Sequence, residues 1–165
     1  MNEAQRLVDL IPRLRRYARA LISDRASADD LVQDTLERAW AKLHLYRRGT
    51  DLRAWLFTVM HNVHVNKVRS ARPTDPLEDE MPELAQRAAQ GDSLVVRDLD
   101  RAIARLPDEQ RAVLLLVTFE EMSYDQVARA LGIPIGTVMS RLSRAREKLR
   151  AMMLGQAAAK LKVVK

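Results

Sequence analysis

This sequence predicts an all-α protein: two small helical bundles joined by a flexible linker. Three observations lead there. The 165 residues include only 5 Gly and 6 Pro. Ala, Leu and Arg recur three and four positions apart, the spacing that gathers side chains on one helix face. Between residues 71 and 92 that periodicity breaks, and Pro73, Pro76 and Pro82 fall among six acidic residues.

The first helix is expected over Glu3–Ile22, with Leu7, Leu10, Ile11, Leu14, Ala18 and Leu21 as its apolar stripe. Pro12 either kinks it or marks its true start, because proline lacks a backbone donor and clashes one turn back. The second helix begins at a capping-box-like pair, Ser27 and Asp30, with Asp29 and Asp30 at the positive end of the helix dipole. It continues to about Leu43, turning Leu31, Thr35 and Ala39 inward. YRRGTD interrupts the pattern, and a third helix from Asp51 to Ser70 buries Leu52, Trp55, Leu56, Val59 and Val63. Three helices with short connections form one bundle over residues 1–70.

The linker, 71–92, has room for a short helix around Leu84–Ala89. The second bundle, 93–155, opens with VVRDLDRAIARL, stopped at Leu106-Pro107. Pro107 suits the first turn of the next helix, DEQRAVLLLVTF. Ser123 and Gln126 make a capping box for YDQVARAL, which Gly132 ends as a residue of positive φ. The last helix is expected over Gly136–Leu154 with Gly155 as its stop. Residues 156–165 would then be a fraying basic tail.

Composition narrows the function. There is no cysteine, hence no disulfide framework and no Cys-based zinc site. The N-terminus lacks the apolar run of a signal peptide, and no apolar stretch approaches the ~20 residues of a membrane span. A cytoplasmic address without membrane insertion is expected. Net charge is +6, unevenly placed: residues 47–70 carry +4, 71–92 carry −4 and 136–165 carry +7. Two basic blocks around an acidic middle point to a polyanion, nucleic acid first, although charge alone also fits a solvated basic surface.

The stretch GIPIGTVMSRLSRAREKL sharpens the choice. Val138, Leu142, Ala145 and Leu149 form a packing stripe. Thr137, Ser140, Arg141, Arg144 and Lys148 form a polar and basic one. Two helices, a tight Gly-containing turn and a basic second helix match a helix-turn-helix, whose second helix enters the major groove. Arginine can bond a guanine edge bidentately, whereas lysine more often meets phosphate. The plainer alternative is an αα-hairpin with a solvated basic face. Pro134-Ile135-Gly136 stands where Ser or Asp would be a more usual cap.

LPDEQRAVLLLVTFEEMSYDQVARALGIPIGTVMSRLSRAREKLR resembles region 4 of a bacterial extracytoplasmic-function (ECF) sigma factor. ADDLVQDTLERAW followed by DLRAWLFTVMHNVHVNKVRSAR resembles regions 2.2 to 2.4 of the same family. The resemblance implies a sigma region 2 bundle and a sigma region 4 bundle that bind core RNA polymerase and promoter DNA, with an anti-sigma factor as a further partner. It implies that Asp30, Gln33, Asp34, Glu37, Arg38 and Trp40 face the polymerase clamp, although Trp40 could equally pack in the core. Asn62 would contact the −10 element, and Arg47, Arg48, Lys67, Arg69 and Arg72 are candidate phosphate contacts there. The recognition helix would read the −35 element.

No glycine-rich phosphate loop and no nucleophile–base pairing suggests catalysis, so neither an enzyme nor a cofactor or small-molecule substrate is expected. His61 and His64 share a helix face but have no acidic or thiol partner nearby in sequence, which speaks against metal. The rivals are an autonomous dimeric helix-turn-helix transcriptional regulator and an interaction module that binds polymerase or a regulator without DNA. A sigma factor would work in the bacterial cytoplasm, at the nucleoid.

Overall fold

Side-chain caps open several of the helices in the computed structural model, which describes residues 2–71 and 94–163, with side chains for 2–70 and 95–155. Asn2 accepts a hydrogen bond from the Gln5 amide (2.9 Å) and opens α1, Glu3–Asp9. Leu10 separates it from α2, Ile11–Leu21, so the single helix expected here is two. Pro12 is the cause: at the second position of α2 its missing N–H has no partner to lose, whereas mid-helix it would break a bond.

α3 spans Arg25–Lys42 and starts earlier than the Ser27–Asp30 pair suggested. Asp24 is its cap, accepting from the Ser27 amide (3.1 Å) and from the Ser27 hydroxyl (2.6 Å). Those hydrogen bonds hold the Asp24 carboxyl below its ordinary pKa. Ser27 therefore sits inside the first turn, because a carboxylate was available three residues upstream to take the orphan amides. A 3-10 turn, Leu43–Leu45, leads into the loop before α4, Leu52–Ala71. Asp51 caps α4 through the Arg53 and Ala54 amides (3.0 and 3.3 Å).

In the second half, α5 is Leu94–Arg105 and α6 is Asp108–Thr118, with Pro107 at the N-cap, just before the first turn. α7, Tyr124–Leu131, has the expected capping box: the Gln126 amide donates to Ser123 Oγ (3.1 Å) and the Ser123 amide to Gln126 Oε1 (2.9 Å). Gly132, at φ 65°, ends it in a Schellman motif. The Ile133 amide reaches the Ala128 carbonyl (3.0 Å) and the Gly132 amide the Arg129 carbonyl (3.3 Å).

α8 runs from Ile135 to Val163, straight through Gly155, so the expected stop is overturned and 156–163 extend the helix. One interior glycine costs about 1 kcal/mol relative to alanine, which the helix-forming run QAAAKLK offsets. The 71–92 linker, Ala71 apart, and the short helix expected within it lie outside the described residues.

The core of the first half includes Leu14, Tyr17, Leu31, Leu56, Phe57 and Met60, with the Tyr17 and Phe57 rings edge to face at 5.1 Å. Trp55 is partly buried against this core and lies 5.6 Å from Tyr46. The second half packs Val113, Leu115, Leu116 and Val127 against Val138, Leu142 and Ala145. The halves do not stand apart. α4 packs on α7, and α2 packs on α5 and α6, so that one apolar cluster runs through both.

Candidate nucleic-acid interface

The turn between α7 and α8 fixes how α8 leaves the core. With no capping side chain available, the Pro134 carbonyl accepts from the Thr137 and Val138 amides (3.0 and 3.2 Å). Periodicity then divides α8 as its sequence suggested. Val138, Leu142 and Ala145 are buried, Ser140, Arg144 and Lys148 are exposed, and Thr137 is intermediate. Ser140 donates back to the Thr137 carbonyl (3.1 Å). Arg141 keeps only 25% of its side chain exposed and lies 3.6 Å from Glu109 on α6. That exposed carboxylate contributes about 0–1 kcal/mol, too little to keep the guanidinium from a base edge.

The candidate −10 residues divide. Asn62 and Arg69 are seven residues apart on one exposed face of α4, while Lys67 turns into the groove between α3 and α4 and pairs with Asp34. Arg47 and Arg48 are exposed in the loop before α4, and Arg48 lies 3.0 Å from Glu3. Arg72 lies outside the described residues. Both side chains of that pair are partly exposed, so it contributes about 0–1 kcal/mol and leaves the Lys67 ammonium able to reach a phosphate.

On α3, Asp30, Gln33, Glu37 and Arg38 are exposed and Asp34 is intermediate. Trp40 is 60% exposed, which decides between core and surface: it belongs to the outer face. Large exposed aromatics of this kind are frequent anchors in protein–protein contacts.

What the sequence did not disclose is the seam between the halves. His64, buried on α4, places Nε2 3.1 Å from each carboxylate oxygen of Asp108 at the start of α6. Burial opposes the Asp108 charge, yet the hydrogen bond and charge of His64 and the charge of Arg111 prevail and hold its pKa below the usual carboxylate value. His61 is lowered by burial first, then by the positive charges of His64 and Arg141. Both histidines thus lie at the seam, near Asp108. Among the described residues no group of three or more His, Cys, Asp or Glu could hold a metal ion.

Arg111 donates to the carbonyls of Ile103, Ala104 and Leu106 and, across the seam, to that of Leu21 (2.8 Å). Gln126 donates to Asp51 (3.1 Å), so one residue of the α7 capping box also reaches the cap of α4. The residues in these pairs stand 44 to 90 positions apart in the chain, beyond any spacing rule.

Comparison with known proteins follows the same two halves. Residues 7–61 match the family model "Sigma2 domain of PhyR", and residues 97–149 match "Sigma-70, region 4". The chain is 36% identical over 145 residues to the ECF RNA polymerase sigma factor EcfG of Rhodopseudomonas palustris, covering 87% of this chain and 80% of that protein. It is 38% identical over 144 residues to the ECF RNA polymerase sigma factor SigM of Mycobacterium tuberculosis, covering 86% and 71%. Among solved structures it resembles the sigma factor RpoE of Bartonella quintana, crystallised with the anti-sigma factor NepR. That match has a TM-score of 0.74 and 34% identity, and covers 91% of this chain and 95% of the other.

Proposed function

Because this chain belongs to the extracytoplasmic-function family of RNA polymerase sigma factors, we propose that it reads promoters through two separate surfaces while bound to core polymerase. It is a transcription initiation factor, not an enzyme. Residues 1–70 act as region 2 and 93–155 as region 4, with the helical continuation 156–163 belonging to α8 and the 71–92 linker joining them. The reading rests above all on the outward stripe of α8, held in place by a complete capping box and the Gly132 turn.

In this mechanism Thr137, Ser140 and Arg141 reach base edges of the −35 element, with Arg144 one turn on and Lys148 at phosphate. Asn62 meets a base of the −10 element, and Arg47, Arg48, Lys67, Arg69 and Arg72 support its backbone; an amide can both donate and accept, as an unstacked base edge requires. The α3 face around Trp40 docks on polymerase through Asp30, Gln33, Asp34, Glu37 and Arg38. Tethering both DNA contacts to one enzyme raises the effective concentration of each, so neither need bind tightly alone. An anti-sigma factor is the expected further partner, as NepR is in the crystal complex of the Bartonella RpoE. The bacterial cytoplasm, at the nucleoid, is the site of action, and no described helix is long and apolar enough to cross a membrane.

In vitro transcription with core polymerase tests this. Specific starts should appear only when the chain is added. Their absence, or a stable dimer on an inverted repeat without polymerase, would favour the autonomous regulator, which the family membership disfavours.

A further inference from the structure

Two apolar side chains on the outward side of α8 have no role in polar base reading. Ile135 and Met139, one turn apart at the start of the helix, are 44% and 48% exposed. They stand on a surface otherwise built from Ser140, Ser143, Arg144 and Lys148. Exposed apolar residues at that position need an occupant, and their register on the helix says which.

Successive residues of a helix turn by about 100°. Ser140 therefore lies nearly opposite the buried Val138, Leu142 and Ala145 and marks the middle of the outward stripe. The two edges of that stripe differ in chemistry. Arg144 and Lys148 run along one edge, where Arg141 leans toward Glu109 of α6 with its guanidinium 3.6 Å from the carboxylate. Ile135 and Met139 run along the other, continued by Ser143 and Arg146 at helical spacing.

Tyr124, at the start of α7, borders the second edge. Between them is an open cleft of about 510 Å³ lined by Met139, Leu142, Ser143, Arg146 and Arg150. Glu147 is its one carboxylate, against two guanidiniums. A mouth carrying a thioether and a far end carrying net positive charge complement a nucleotide better than they complement an apolar peptide. Thymine is the base with a methyl group in the major groove. The unbranched, polarisable methionine side chain can mould itself onto such a group.

We propose that Met139, backed by Ile135, is a specificity-determining residue that reads the C5 methyl of a thymine in the −35 element. The inference rests on the promoter reading above and gives α8 two reading edges, guanidinium for guanine acceptors and thioether for a thymine methyl. Arg146 and Arg150 then meet phosphate along the cleft, as point charges without sequence preference.

The test uses holoenzyme assembled from core polymerase and the full chain, on a promoter from which it starts. Each −35 thymine, on either strand, is replaced in turn by deoxyuridine, which removes the methyl and keeps every hydrogen-bonding group. Wild-type holoenzyme should lose roughly four-fold in promoter affinity at one thymine, the worth of one buried methyl. Met139→Ala should bind the unmodified promoter more weakly and show no further loss with deoxyuridine there, while Met139→Leu keeps the methyl response. Because Met139 lies outside the core, both variants should retain the circular dichroism and thermal midpoint of the wild type.

An identical deoxyuridine response from wild type and Met139→Ala at every thymine overturns the inference. So does a −35 element with no thymine in either strand. A Met139→Ala chain that weakens every promoter equally and keeps the methyl response also overturns it, and places Met139 against polymerase instead. Sensitivity to −35 base-pair changes without any methyl response sinks this inference alone. Indifference of the wild-type holoenzyme to every −35 change sinks the promoter reading of α8 and the inference with it.

Discussion

Arg53 Nη1 donates to the main-chain carbonyl of Glu120 across 2.8 Å, tying the first turn of α4 to the turn that precedes the helix-turn-helix. The two residues are 67 apart in sequence, yet the bond joins the elements assigned to the −10 and −35 contacts. Each half's chemistry is therefore best probed by changes that leave this junction alone.

Arg141 and Lys148 provide such a pair. Arg141→Ala should cost about 1–3 kcal/mol of −35 binding in the polymerase complex and relax preference at one position, whereas Lys148→Ala should weaken all sequences alike and lower the salt slope by about 1. A panel of −35 variants titrated at several salt concentrations reads both. Unchanged preference for Arg141→Ala, or an unchanged slope for Lys148→Ala, rejects the corresponding contact.

Trp40→Ala tests the polymerase face. The side chain is 60% exposed, so truncation should leave the thermal midpoint of the free chain nearly unaltered. If Trp40 anchors the docking surface, affinity for core polymerase should fall by about 2 kcal/mol or more. Competition against labelled wild-type chain measures it, and equal affinity would remove Trp40 from the interface.

Gly132→Ala isolates a backbone effect. Beyond Gly132 itself and its two chain neighbours, no atom lies within 4 Å of where its Cβ would stand, so the substitution meets no clash with the rest of the fold and acts through the left-handed φ of 65°. A loss of about 1–2 kcal/mol in urea unfolding is expected, the cost of that conformation for an L-residue. A neutral result would mean that the turn relaxes freely.

His61 supplies the pH dependence. Burial, then His64 and Arg141, lower its pKa, while Asp108 opposes them. The unfolded chain, with histidine near 6.5, takes up its proton first as pH falls, so this group makes stability decline from about pH 6.5 downward. His61→Gln should reduce the difference between urea midpoints measured at pH 7.5 and pH 5.0. Asp108 works in a separate, lower window, because its depressed pKa keeps its contribution present above about 3.9 and loses it only as pH falls through the folded value.

Much of the architecture was legible because it is written within a few residues. The α7 capping box, the Gly132 stop and the two stripes of α8 all follow from contacts three or four positions apart, and each stands where periodicity put it. The misses were local competitions. Asp24 outbid Ser27 as the cap of α3, Pro12 split the first helix, and good helix formers carried α8 through Gly155. Trp40 could not be placed from the stripe alone, since an aromatic at the margin of a helix face can turn either way.

The chain's own order of residues determined its helices, the basic face of α8 and its membership of a sigma family, because propensity, capping and periodicity act over a turn or two. Only the folded body decided that Glu120 is buried under Arg13 and Arg16, that His64 meets Asp108, and that Lys67 answers Asp34 instead of standing free. Those pairings depend on which helices dock and in what register, a collective outcome of burying one continuous apolar cluster, and no local spacing encodes it.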